Sequence, residues 1–269
     1  MIVRIALLFS VVLLGCPKAP ELSAPIATQV DAATVLERAA QQQEMPSIRV
    51  KFSAKMRVPR RAIPSLPGVL LVDEPRFRMV LNGPIGGAVF TAIANEQGMV
   101  LFDHREARAL TVGTGEETAL GLIGSEEMDA LTKTMLGRIP VGMLSKLSPL
   151  SHGEGEWVYR VQREDGARLD LGLDEQGKLR WMETFHVNGT SLLRLVHEEW
   201  QEFGDVLLPK RSVLSQSESS LEVTLKYASW VEVPEVGPSA FDTGVAEGIE
   251  VLTLQEAIEA AQNQTEESD

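Results

Sequence analysis

The sequence has one cysteine, two tyrosines and four histidines in 269 residues, and it is short of cations: 25 Lys and Arg against 38 Asp and Glu, a formal charge of −13. Each shortage excludes something. A lone cysteine rules out an intramolecular disulfide framework and any cysteine-rich metal site. His104, His152, His186 and His197 are never four residues apart, so no helix can present two of them to one metal ion. A cation-poor chain lacks the basic footprint that nucleic acid requires, and as a whole it is a poor candidate for nonspecific adhesion to anionic lipid. There is no Gly-x-Ser-x-Gly elbow, no His-Glu-x-x-His helix and no phosphate loop. Gly83, Gly86 and Gly87 miss the dinucleotide-binding spacing, and Gly113-Thr114-Gly115 has no following lysine, so both read as turns. The neighbours in Glu126-Glu127 and Glu198-Glu199 diverge on helix and strand alike, which removes them as acid–base couples. No catalytic residue, metal or cofactor is expected.

Long apolar runs are absent after the first residues, and the one at the start has a specific form. Arg4 precedes Ile5 to Leu14, a run broken only by Ser10. At about ten residues it suits the core of an export signal and falls short of the roughly 20 needed to span a bilayer. It ends in Leu13-Leu14-Gly15-Cys16, which reads as a lipobox. Gly15 is small enough for the signal peptidase, and the Cys16 thiol is the nucleophile that takes the diacylglycerol. The alternative is a secretory signal with an incidental cysteine, but Cys16 is the chain's only cysteine and stands where the lipobox requires it. The expected organisation is therefore a lipoprotein signal over residues 1–15 and a lipidated N-terminus and tether over 16–29. Pro17, where Asp commonly favours inner-membrane retention, points to an outer-membrane anchor facing the periplasm.

The rest reads as one domain over residues 30–242 and an acidic extension over 243–269. Asp31 can cap a helix whose stripe is Ala32, Val35, Leu36, Ala39 and Ala40. After Pro46 the period becomes two. Ile48, Val50, Phe52, Ala54 and Met56 alternate with Arg49, Lys51, Ser53 and Lys55, which predicts a strand with one dry face. Pro59 to Pro67 reads as a loop. Strands are then expected at Gly68–Asp73, Arg76–Leu81, Ala88–Ala94, Met99–Phe102 and Ala107–Val112. A helical interlude follows, with Ser125 as cap, Met128, Leu131, Met135 and Leu136 as its apolar face and Gly137 as its stop. Pro140 can open a second short turn bearing Met143, Leu144 and Leu147. The strand pattern resumes from Glu156 to Val233, with Asn188-Gly189 as a hairpin turn. The fold class is mainly β with α: a strongly curved antiparallel sheet forming an incomplete, half β-barrel covered by a helical lid.

The order of these segments resembles the LolA/LolB-like superfamily of periplasmic carriers and outer-membrane lipoproteins, LolB most. The resemblance runs from the first helix and the Ile48 strand through Gly68-Val69-Leu70-Leu71-Val72, Pro75-Arg76-Phe77-Arg78 and Gly83-Pro84-Ile85-Gly86. It continues through Met99–Asp103 and Leu136-Gly137-Arg138-Ile139-Pro140-Val141 to the closing strand at Leu225–Trp230. Two departures bear on the lipoprotein-receptor role more than on the fold: no tryptophan lies between Met143 and Leu150, and the chain extends well past Trp230. The resemblance implies a non-catalytic lipoprotein that binds acyl chains of lipid or lipoprotein in an apolar half-barrel, with a soluble periplasmic carrier as a partner. It also implies that Ile85 stands where LolB-like proteins carry an exposed, membrane-directed leucine; the alternative is that Ile85 folds into the barrel mouth. The alternating pattern puts Val50, Phe52, Ala54, Met79 and Leu81 on the dry face, with Met128, Leu131, Met135 and Leu144 as the lid. Met128 and Met135 suit a lid because a thioether chain adapts to varied apolar ligands; the plainer reading is core filler. The second function considered is a structural or interaction lipoprotein, accessory to an envelope complex and without lipid cargo.

Overall fold

The computed structural model describes residues 30–42, 45–58, 61–113, 132–153, 155–162, 166–204, 206–217, 220–253 and 256. The export signal, Cys16 and the tether lie outside the described residues, as do Met128 and Leu131. Asp31 caps helix α1 (Ala32–Gln41): its carboxylate accepts from the Thr34 amide at 2.9 Å and the Thr34 hydroxyl at 2.8 Å, and these bonds lower its pKa. Val35 and Ala39 form the buried side of α1.

Fourteen strands follow in one sheet: β1 (Ile48–Val58), β2 (Arg61–Asp73), β3 (Arg76–Asn82), β4 (Ala88–Asn95), β5 (Gly98–Asp103), β6 (Arg108–Gly113), β7 (Ser148–Gly153), β8 (Glu156–Gln162), β9 (Arg168–Asp174), β10 (Leu179–Phe185), β11 (Ser191–Phe203), β12 (Val206–Gln216), β13 (Leu221–Glu232) and β14 (Glu250–Thr253). The short helix α2 (Val141–Leu144) lies before β7. The order across the sheet is β14-β6-β5-β4-β3-β2-β1-β13-β12-β11-β10-β9-β8-β7. It is two antiparallel meanders, β1–β6 and β7–β13, joined into one open sheet where β1 pairs with β13; only β14 joins in parallel, on β6. Open twisted sheets of this width curl, and register slips at Lys51/Phe52, Ala54/Met56 and Thr184/Phe185 add local bends.

Three features differ from the sequence expectation. The stretch expected as a loop is mostly strand, because β2 starts at Arg61 and pairs with β1 from Val58↔Arg61 onward. Its prolines are tolerated for a geometric reason. β3 pairs with β2 only from Gly68, so the earlier residues have a neighbour on one side alone; Pro64 falls in the Ala54/Met56 slip and Pro67 on the open side. The edge strand β7, carrying Pro149, was not anticipated. The chain past residue 242 returns to the sheet as β14, where Arg108 and Glu250 pair at 2.7 Å.

The curved sheet buries apolar side chains on both faces. On the concave side Ile48, Val50, Phe52, Leu70, Val72, Phe77 and Trp230 form one cluster. α1 lies over the β8–β10 part of that side, where the Tyr159 hydroxyl donates to the Ala32 carbonyl at 2.8 Å. On the convex side Ile93, Val100, Phe102 and Ala109 of β4–β6 are covered by Phe241, Val236, Val245 and Ile249 from the chain that follows β13. Arg76 stacks over the Phe241 ring at 4.9 Å, and the Asn95 amide donates to the Phe241 carbonyl at 3.0 Å. No helix among the described residues is long and apolar enough to cross a membrane.

Candidate functional site

The concave face of β1–β3 is built by alternation. Val50, Phe52 and Ala54 are buried there with Leu81, and Met79 is half-buried against the same cluster. The five sheet residues expected on the dry side therefore share one face. Their neighbours across the β1–β13 seam are Tyr227 and Trp230, with ring centroids 6.4 Å (Phe52–Tyr227) and 5.1 Å (Tyr227–Trp230) apart. Gly68 is needed under this aromatic group: a Cβ there would lie 2.5 Å from the Phe52 Cζ. Truncating a core side chain such as Phe52 to alanine costs roughly 3–5 kcal/mol, the cavity it leaves included.

A chain segment over residues 132–140 crosses this face. Its helical residues 132–135 end in a Schellman cap: the Gly137 amide donates to the Thr134 carbonyl at 3.0 Å and the Arg138 amide to the Lys133 carbonyl at 2.9 Å. Gly137 has φ +75° and sits against the Trp200 ring, where a Cβ would approach the indole to 2.5 Å. Leu136 and Ile139 are the anchors; Leu136 is fully buried in the same cluster as Phe52 and Tyr227. Met135 and Leu144 are half-buried, and α2, which carries Leu144, packs on α1. The structure thus brings Leu136 rather than Leu144 onto the aromatic group.

Two sheet side chains fasten this segment. A carbonyl can only accept, so His197 Nε2–H donates to the Thr134 carbonyl at 2.8 Å and Nδ1 accepts from the Ser212 hydroxyl at 2.8 Å. Burial pushes the His197 pKa down to about 4. The Tyr227 hydroxyl donates to the Met135 carbonyl at 3.1 Å, and burial pushes its pKa up to about 12. Both bonds land on the last carbonyls of the helical turn, where acceptors are in surplus; that of Thr134 also takes the Gly137 amide. At its other flank the segment buries two cations, Lys133 and Arg138; Lys133 Nζ lies 3.6 Å from the Glu74 carboxylate. Burial lowers the Arg138 pKa, and the nearby Glu74 opposes that shift. His197 was legible only as a strand residue of the same parity as Leu193 and Leu195; its partner 63 positions away was not.

Ile85 sits at the tip of the β3–β4 connection and is 101% exposed. The turn is closed by the Gly83 amide donating to the Gly87 carbonyl at 2.9 Å, with Gly86 and Gly87 at φ +87° and +80°. Fully exposed, Ile85 does not fold back into the barrel mouth. Among the described residues, no three His, Cys, Asp or Glu side chains gather as a metal-binding set.

No protein-family model and no curated protein matches this chain by sequence. Solved structures match by shape. A LolA superfamily protein from Nitrosomonas europaea aligns with a TM-score of 0.54 at 13% identity, over 80% of this chain and 98% of that one. A DUF1329 family protein from Desulfovibrio piger aligns at 0.57 and 7% identity, over 80% and 98%. A structure described as an outer membrane lipoprotein-sorting protein domain from Vibrio parahaemolyticus aligns at 0.55 and 12% identity, over 78% and 95%. Identities this low speak for the fold alone: the curved antiparallel sheet expected from the sequence is present, and it is LolA-like.

Proposed function

We propose that this LolA-like domain is a non-catalytic, lipid-anchored envelope protein that holds acyl chains of lipid or lipoprotein against its concave apolar face. The observation that carries the reading is the cover: residues 132–140 lie over Phe52, Tyr227 and Trp230, fixed by Leu136 and by two side-chain hydrogen bonds. An acyl chain in water costs about 0.8 kcal/mol for each exposed CH₂. A binder needs an apolar face and a cover that can leave it, not a nucleophile. The segment containing Met128, Leu131, Met135 and Leu144 is the proposed lid, and Cys16 the proposed anchor, placing the domain at the periplasmic side of the outer membrane. Ile85 is the proposed delivery tip: a fully exposed β-branched residue gains nothing from folding and can enter a bilayer or a carrier's cavity.

Titration of the purified full chain with a fluorescent long-chain fatty acid tests this. One saturable site, weakened by Leu136→Asp, is expected. Unsaturable or absent binding would reject acyl cargo.

A second reading, an accessory lipoprotein without cargo, draws on the same face: Val50, Val72 and Ile48 have no exposed surface, so it also works as an ordinary core. Native mass spectrometry of the chain extracted from its own membrane separates the two by the mass of a co-purified lipid.

A further inference from the structure

The formal charge of −13 is unevenly spread. After Lys226 the sequence has ten Asp and Glu and no Lys or Arg, so the chain before it is close to neutral. Within that near-neutral part the cations are sorted by the pleat of β1. Val50, Phe52 and Ala54 face the concave core, so Arg49, Lys51, Lys55 and Arg57 stand together on the convex face, all exposed. Lys226 of β13 stands on the same face, opposite Ser53, and Arg78 of β3 lies two strands from Arg49 in the same cross-strand row. Arg57 pairs with Glu222 at 3.5 Å. Arg49, Lys51, Lys55 and Lys226 have no carboxylate within ion-pair distance among the described residues. Beside Arg49 the face sinks into a shallow groove of about 420 Å³, floored by Val69, Leu71 and Val80, with Val233 and Glu235 at its rim.

We propose that this stripe is a docking surface for an anionic phospholipid bilayer. Charge complementarity selects the occupant's sign, and shape selects its kind. A convex sheet meets a plane along one line, and the cations of β1 lie along such a line, spanning about 27 Å from Arg49 to Arg57 at the usual strand rise. A rounded protein partner would reach fewer of them. One exposed apolar side chain, Val231, stands opposite Arg49 and suits the headgroup boundary. The Ile85 turn leaves β3 just past Leu81, which the register sets level with Phe52 midway along β1 and two strands to its side, so the tip lies beside the stripe rather than beyond its end. The inference deepens the proposed envelope role and does not require acyl cargo.

The mature chain, residues 16–269 with Cys16→Ser, has neither the apolar signal nor an acyl chain to hold it, and is floated with vesicles of phosphatidylcholine alone or mixed with phosphatidylglycerol. Binding to the mixed vesicles only, and its loss in high salt, are expected. Lys51→Gln, Lys55→Gln and Lys226→Gln together should weaken it about 100-fold, at about fivefold per cation near a charged leaflet. The same count of changes off this face, at Lys146, Lys178 and Lys210, should leave it within a few-fold. Amine labelling of the unmutated chain gives an independent readout: Lys51, Lys55 and Lys226 should be protected on mixed vesicles and Lys210 should not. Equal binding to both vesicle types, or equal loss in the control variant, would overturn the proposal. So would equally tight binding to immobilised polyglutamate, which would assign the stripe to an acidic protein. Acyl binding by the full chain is read separately, so either idea can fail alone.

Discussion

Acid should loosen this protein through His197 in particular. In the folded chain the imidazole is neutral, fully enclosed, and bonded at both nitrogens, to Thr134 and Ser212. Burial holds its pKa at about 4, against an ordinary value of 6.5. The unfolded chain therefore takes up a proton first as pH falls, and the folded state loses stability between about pH 6.5 and pH 4. At 1.36 kcal/mol per unit, the loss approaches about 3 kcal/mol at pH 4 and then levels off. Local opening of residues 132–140 frees the imidazole as well as global unfolding does, so the cover should exchange its amides faster over the same range. The assay is urea unfolding of the chain and of His197→Asn, each from pH 7.5 to pH 4. Carboxylates titrate in both proteins, so the difference between the curves isolates the histidine. His197→Asn should be less stable at pH 7, by about 1–3 kcal/mol for the lost bonds, and the gap should close on acidification. A gap that stays constant with pH would refute the reasoning.

Other outcomes follow from single residues. Cys16→Ala should abolish incorporation of radioactive palmitate and leave the signal uncut; equal label in both chains would end the anchoring proposal. Ile85→Glu should change unfolding free energy by no more than about 0.5 kcal/mol, since the side chain touches nothing, while transfer of lipid or lipoprotein to vesicles falls; normal transfer by the folded variant would remove the tip from the mechanism. Gly137→Ala should cost about 1–3 kcal/mol, because φ is positive and the added Cβ meets the Trp200 ring; an unchanged urea midpoint would contradict the packing of the cover.

The sheet was legible in the sequence where a strand has one wet and one dry face. β1 reads directly from Ile48, Val50, Phe52 and Ala54 alternating with Arg49, Lys51 and Lys55, and the same alternation placed Met79 and Leu81. β2 before Gly68 did not read as strand because Pro64 and Pro67 break it locally; what admits them is the missing β3 neighbour, a fact of topology. β14 is four residues long, too short to carry a period, and its place beside β6 is a long-range pairing. The expected site was half legible for a similar reason. Alternation finds the apolar floor, but Tyr227 and Trp230 join it only through the β1–β13 seam. His197 gains its role only when the β11–β12 register sets it against Ser212 and the cover arrives overhead. The basic stripe was hidden by the net charge, which sums the convex face with the acidic residues after Lys226.

Photo-crosslinking tests acyl binding most directly. The full chain is incubated with a long-chain fatty acid carrying a diazirine along its tail, irradiated, and digested for peptide mapping. Adducts should fall on β1 around Phe52, on β13 around Tyr227 and on the cover around Leu136, and excess unlabelled fatty acid should remove them. Adducts confined to the convex face, or adducts that competitor does not reduce, would contradict a concave acyl site.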